Sequence, residues 1–238
     1  HGVVQGLPIR LGAPIVGIDF QPGSRSVDMT TTRGQHPQID LETSKLITRR
    51  TTNNPNPLER VTCADYHSHQ LLTATGTNLG RVSLRNRSNS LYIPPLEFSK
   101  PIDSVKFSTD NHFLIVGSGE HFVSIFDIRQ RQFAHKEIYH PGSIQAIQLS
   151  GDNRILSVQQ TNGMIRQWDL ARTGSHARTL DSHMAYLYTA FLKGVMLSVQ
   201  KEGRLELRTT DSLTQIADSS VLNFLESDTT RFASTNDR

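Results

Sequence analysis

A single cysteine, Cys63, stands in the 238 residues, so neither an intrachain disulfide nor a cysteine-built zinc site can form. Secreted domains of this size more often carry paired cysteines, so the expected setting is a reducing intracellular one, cytoplasmic or nuclear. No stretch approaches the roughly 18 consecutive apolar residues of a membrane-spanning helix, and no long amphipathic helix is legible in the apolar spacing. Aromatic residues make up 7% of the chain, with one tryptophan. Most of them fall at strand positions where a core explains them. Charge of one sign is also scarce: 25 Lys+Arg against 22 Asp+Glu leave +3, which favours solvated loop arginines over a continuous nucleic-acid-binding face. The signatures of catalysis are missing as well. There is no glycine-rich phosphate loop, no Gly-x-Ser-x-Gly elbow and no His-Glu-x-x-His helix. Among ten histidines the close pair His67-Ser68-His69 lacks an identifiable third metal ligand. The chain is therefore expected to be non-enzymatic, without cofactor, metal site or small-molecule substrate.

What the chain does contain is alternation and recurrence. Arg81-Val82-Ser83-Leu84, Val123-Ser124-Ile125-Phe126 and Arg204-Leu205-Glu206-Leu207 alternate polar with apolar residues, the period of a β-strand. Residues 144–170 read as an apolar strand, a polar turn at Ser150-Gly151-Asp152-Asn153, a second strand and a tight Asn162-Gly163 turn. A third strand follows and ends on Trp168-Asp169. The first apolar position of this unit recurs at Ile15, Val61, Ile102, Ile144 and Leu187. The position of Trp168 recurs as Arg85, Phe126, Trp168 and Arg208, followed by Asn86, Asp127, Asp169 and Thr209. Two landmarks keep one spacing, within the roughly 40–45 residues of a four-stranded propeller blade.

On these residues the chain resembles the WD-repeat β-propeller family. The best-matching unit has His140 four residues before Ile144, Asn162-Gly163 at the turn and Trp168-Asp169 at the end. The unit before it keeps Phe107-Ser108-Thr109-Asp110-Asn111 and Phe126-Asp127, with Phe98 where histidine is expected. The unit after it keeps His183 and Glu202-Gly203 but ends on Arg208-Thr209. The likeness is strong over about 98–210 and weak outside it. It implies an all-β fold of four-stranded antiparallel blades. It also implies that His140, Ser157, Asn162, Trp168, Asp169, His183 and Asp127 are structural, forming hydrogen-bonded sets that tie a blade's turn to its third strand.

The expected repeats are 13–58, 59–99, 100–141, 142–183, 184–218 and a partial sixth at 219–238, within one propeller domain that a longer chain would complete to seven blades. Arg33-Gly34-Gln35-His36-Pro37 is expected to form an irregular turn, and Thr51 to Pro57 a polar connector.

The class of function that fits best is a scaffold or adaptor that joins other proteins of a complex through propeller faces and loops. Two alternatives stand beside it. Phe126-Asp127-Ile128-Arg129 resembles the Trp-Asp-x-Arg box of substrate receptors of cullin-type ubiquitin ligases, and the basic balance is compatible with an RNA- or chromatin-associated subunit. Propeller geometry puts Arg60, His121, Gln160 and Tyr186 near the top rim as candidate partner contacts, with Arg129 and Arg131 on the opposite face.

Overall fold

β-Branched and aromatic residues in short alternating runs, separated by turns rich in Asn, Asp and Gly, leave little for a helix to use. All regular structure among the described residues is strand. The computed structural model describes residues 11–20, 25–51, 56–67, 72–86, 88–108, 110–119, 121–150, 152–162, 164–170, 178–180, 186–192, 195–200, 205–209 and 215–217.

Two compact units divide the chain, residues 1–147 and 148–238. The first unit holds three four-stranded sheets. One is built from β1 (Ile15–Phe20), β2 (Ser26–Thr31), β3 (Gln35–Asp40) and β4 (Leu46–Thr51). The next comprises β5 (Val61–His67), β6 (Leu72–Thr77), β7 (Arg81–Arg85) and the two-residue β8 (Leu96–Glu97). The third comprises β9 (Ile102–Phe107), β10 (Phe113–Ser118), β11 (Phe122–Asp127) and β12 (Gln132–Tyr139). A fourth sheet is β13 (Ile144–Leu149), β14 (Ile155–Gln160), β15 (Ile165–Asp169) and β16 (Arg178–Leu180); the division between the units falls inside β13. The fifth, in the second unit, is β17 (Tyr186–Leu192), β18 (Val195–Gln200), β19 (Leu205–Thr209) and β20 (Gln215–Ala217). In every sheet, strands next to each other in sequence are neighbours in space. These are antiparallel meanders of the kind that form propeller blades. The expected sixth repeat, 219–238, lies outside the described residues. No helix among the described residues is long and apolar enough to cross a membrane.

Within the first unit the core lies between sheets. Leu84, Ile102, Leu114, Val116, Phe126 and Ile128 form one buried cluster with Ala74, Val82, Ile93 and Val105. Alternation suggests strands buried on one face, yet β10 and β11 are buried along nearly their whole length. Their buried polar positions are the small Ser118 and Ser124, which fit between packed sheets where longer polar side chains would not.

Glycine permits close approach between sheets. A Cβ on Gly76 would lie 2.4 Å from Ile102 Cγ2, and one on Gly117 would lie 3.3 Å from Ile144 Cδ1. Gly76 and Gly117 occupy equivalent places in β6 and β10, and each faces the leading isoleucine of the next repeat.

The turns repeat too. Ser108 Oγ donates to Asp110 Oδ1 (2.6 Å) and accepts from Phe113 N (2.9 Å). Ser150 Oγ does the same with Asp152 Oδ1 (2.5 Å) and Ile155 N (2.8 Å). Asn111 and Asn153 both take φ of 59°, a left-handed conformation that asparagine tolerates well. Residues 35–37 depart from the expected irregular turn. The turn is confined to 32–34, and Pro37 lies inside β3 opposite Arg49. Pairing of β2 with β3 stops at Gln38, so the missing proline N–H breaks no ladder bond on that side.

Candidate functional site

The landmark residues that the structure describes lie at turns and strands of their own sheets, and their hydrogen bonds are local. His140 is fully buried just after β12; its Nδ1 lies 2.9 Å from Gly142 O, and its backbone N donates to His121 O (2.6 Å). Asp127 ends β11 and accepts the backbone N–H groups of Arg129 (2.9 Å) and Gln130 (2.8 Å), fixing the turn into β12. In the second unit, Ser157 Oγ accepts a buried hydrogen bond from Gln167 Nε2 at 3.0 Å. Trp168 is 7% exposed, and Asp169 holds Arg154 through Nε (3.0 Å) and Nη2 (2.8 Å). Asn162 is exposed in its turn, where Oδ1 accepts Met164 N at 3.0 Å. His183 lies outside the described residues.

The candidate contact residues have mixed settings. Arg60 is exposed, and its Nη1 donates to the carbonyls of Pro57 (2.6 Å) and Glu59 (3.0 Å). The half-buried His121 ring sits 6.2 Å from the Tyr139 ring, and its Nδ1 lies 3.2 Å from His140 O. Gln160 differs from a rim contact: its side chain is 3% exposed, and its backbone N closes the hairpin on Met164 O (2.8 Å). A glutamine at the end of a strand reads as polar surface in sequence, but here the strand end is itself packed. Tyr186 begins β17, and its side chain is not among those described. Arg129 and Arg131 are both exposed in the β11–β12 turn. Arg131 takes φ of 56° and lies with Cζ 6.0 Å from the centroid of the Tyr92 ring.

Several residues, most of them unmarked in the sequence, connect one sheet to the next in the first unit. Asp65 on β5 accepts from Phe107 N (2.7 Å) and Lys106 Nζ (2.8 Å) on β9. Thr62 Oγ1 donates to Ile102 O at 2.5 Å. His67 is 2% exposed, with Nε2 3.1 Å from Asn111 O and its ring edge-on to Phe107 at 5.3 Å. Tyr66 OH and Thr30 Oγ1 are 2.7 Å apart, and His36 Nδ1 lies 3.0 Å from the same threonine. No sequence pattern marks these residues, because spacing does not say which side chain crosses the gap.

Electrostatics follow from burial. Burial pushes the Cys63 thiol up to about 12, which keeps it protonated at neutral pH. Burial also raises the Tyr66 hydroxyl. The Asp19 carboxyl is raised first by burial and then by the nearby Asp65 and Asp28. No group of three or more His, Cys, Asp or Glu among the described residues is arranged to hold a metal ion. His67 faces Phe107 and Asn111, and His69 lies outside the described residues. The geometry presents polar groups committed to turns and strands, with arginines and aromatics left in the loops.

Known proteins agree on the fold. The human GATOR2 complex protein WDR24 is 29% identical over 140 residues, 53% of this chain and 17% of that protein. WD repeat-containing protein 91 of Xenopus tropicalis is 23% identical over 119 residues, 44% of this chain and 16% of that protein. The chain resembles WD-repeat proteins. The matched stretch is about a sixth of the length of each of these relatives. No protein-family model matches the chain. Among solved structures, the computationally designed Ika8 protein superposes with a TM-score of 0.66 at 16% identity, covering 87% of this chain and 61% of that one. At that identity the likeness concerns fold alone, and the fold is all-β, made of propeller-type blades.

Proposed function

We propose that the chain is a non-catalytic scaffold or adaptor that recruits other proteins into a multiprotein complex through the loops and faces of its blades. The observation that carries this is the division of labour among its polar residues. Asp127, Ser157 and Asp169 each spend their hydrogen-bonding capacity on a turn or a neighbouring strand. Arg129, Arg131 and Tyr92 remain exposed in loops, the residue types that anchor protein interfaces. Similarity to a GATOR2 complex protein supports membership of a complex. The lone Cys63 supports an intracellular site of action, in cytoplasm or nucleus.

Affinity purification of the intact native chain, followed by mass spectrometry, tests this reading. A reproducible set of co-purifying proteins at stoichiometric yield is expected. A chain that recovers no protein above the background of an unrelated bait would overturn it.

A further inference from the structure

We propose that the end of the first unit carrying Arg85, Leu91, Tyr92, Arg129 and Arg131 docks an acidic peptide segment that also offers an apolar side chain. The inference rests on the scaffold reading and names the chemistry of one partner.

The surface is assembled from two neighbouring sheets. Arg85 closes β7 at the place that Phe126 and Trp168 fill in later repeats, and forms a bridge with Leu91. Tyr92 N donates to Leu84 O at 2.8 Å, which fixes Tyr92 beside Arg85. Arg131, from the turn after β11, lies over the Tyr92 ring at 6.0 Å. Arg129 occupies the same turn.

Charge here is uncompensated. Arg25, Arg81, Arg154 and Arg208 each pair with a carboxylate, whereas Arg85, Arg129 and Arg131 have no ion pair among the described residues. Arg85 donates Nη1 to Asn89 O (2.9 Å), and its Nε is enclosed without an acceptor. A guanidinium carries five donors in a planar fork, so Arg85 is under-used while partly removed from water. That burial alone lowers its pKa. Residues 85–95 contain no acid, and the nearest carboxylate in the partner turn, Asp127, is committed to two backbone N–H groups. A carboxylate brought by a partner fits the Nη side of these guanidinium groups, the geometry that arginine serves best.

Apolar surface sits within the same patch. Leu91 and Tyr92 are 44% and 40% exposed, while Ile93 is buried at 5% and anchors the loop. Asn86 Oδ1 accepts Ser88 N (3.1 Å) and Ser90 N (3.0 Å), which holds the described residues of the loop in place before a partner arrives. A preformed loop loses little entropy on binding. A single-stranded nucleic acid is the less favoured occupant, since it asks for a longer basic track and repeated aromatic platforms, and Tyr92 is the one aromatic in the patch.

The test uses the full chain and a fluorescent peptide of alternating Glu and Leu, read by anisotropy at low salt. Comparison probes are a Lys-Leu peptide of equal length and a polyuridine strand. The Glu-Leu peptide should bind, weaken as salt rises, and lose about tenfold in affinity with Tyr92→Ala or Arg131→Asn. Asparagine tolerates the left-handed backbone at 131, so this variant removes the charge without straining the turn. Arg25→Ala, just before β2 and away from the patch, should bind as the parent does. Absence of Glu-Leu binding, equal binding by all variants, or tighter binding of polyuridine overturns the proposal. If the peptide fails while the chain still recovers partner proteins, this inference falls and the scaffold reading stands. If no partner is recovered either, the scaffold reading falls with it.

Discussion

Replacing Gly76 with alanine would place a Cβ 2.4 Å from Ile102 Cγ2, 2.8 Å from Ile102 Cβ and 2.8 Å from Cys63 Sγ. Ile102 is fully buried and has no room to swing away, so either β9 shifts away from β6 or the partly exposed Cys63 gives way with it. Overpacking of this kind costs about 1–3 kcal/mol. Gly117 occupies the equivalent place one repeat later, but its nearest contacts are 3.3 Å and 3.4 Å from Ile144. A few tenths of an ångström of adjustment accommodates that methyl, and lost freedom in the unfolded chain offsets part of the cost, by about 0.4–1 kcal/mol. Neither glycine has a positive φ, so backbone strain does not blur the comparison. The assay is paired. Urea denaturation gives the stability of each variant, and the thiol of Cys63, the single cysteine of the sequence, reports on the β6–β9 contact. Held up to about 12 by burial, that thiol should label slowly in the parent and in Gly117→Ala, and faster in Gly76→Ala. A Gly76→Ala protein as stable as Gly117→Ala, with unchanged labelling, would refute the packing described for these sheets.

Other outcomes follow from the same contacts. Asp65→Ala leaves the Phe107 N–H without its acceptor and should cost about 1–3 kcal/mol, whereas Lys106→Ala removes only a half-exposed ion pair and should cost less than about 1 kcal/mol; equal losses in thermal melts would contradict the backbone bond's role. Gln167→Ala leaves Ser157 without its buried partner and should destabilise by about 1–3 kcal/mol, and a double-mutant cycle with Ser157→Ala should show coupling between them. Asp19→Asn should stabilise the protein at neutral pH. The native pKa of Asp19 lies above its unfolded value of 3.8, so ionising it disfavours the folded state. That penalty is complete above the native pKa and fades as pH falls toward 3.8. A gain from Asp19→Asn that stays constant across the acid range would count against the burial and the Asp65 and Asp28 repulsion described here.

The all-β class and the blade rhythm were legible because both depend on local spacing. Ile102 and Ile144 do begin strands, and the Ser108 and Ser150 turns follow the same hydrogen-bonding scheme. The rest depends on what lies across a gap between sheets, which spacing does not encode. Gln160 is polar and sits at a strand end, yet packing buries it. Pro37 looks like a turn former, but the β2 ladder ends one residue away and leaves room for it in β3. Asp65 and Thr62 carry no family signature, and only their reach toward Phe107 and Ile102 reveals them as ties between sheets. The candidate docking surface was half visible: Arg129 and Arg131 stood out in the sequence, while Tyr92 entered only through its place beneath Arg131.

In the scaffold reading, landmark residues build the blades and loop residues recruit partners. Quantitative affinity purification of the intact native chain tests it most directly, comparing the parent with Trp168→Phe and with the double loop variant Arg60→Ala/Arg131→Asn. Trp168 is 7% exposed, so its conservative replacement should lower the melting temperature while the recovered partners stay the same. The loop variant should melt like the parent and lose partners. Loss of partners from Trp168→Phe at a temperature where it remains folded, with full recovery by the loop variant, would contradict this division of roles.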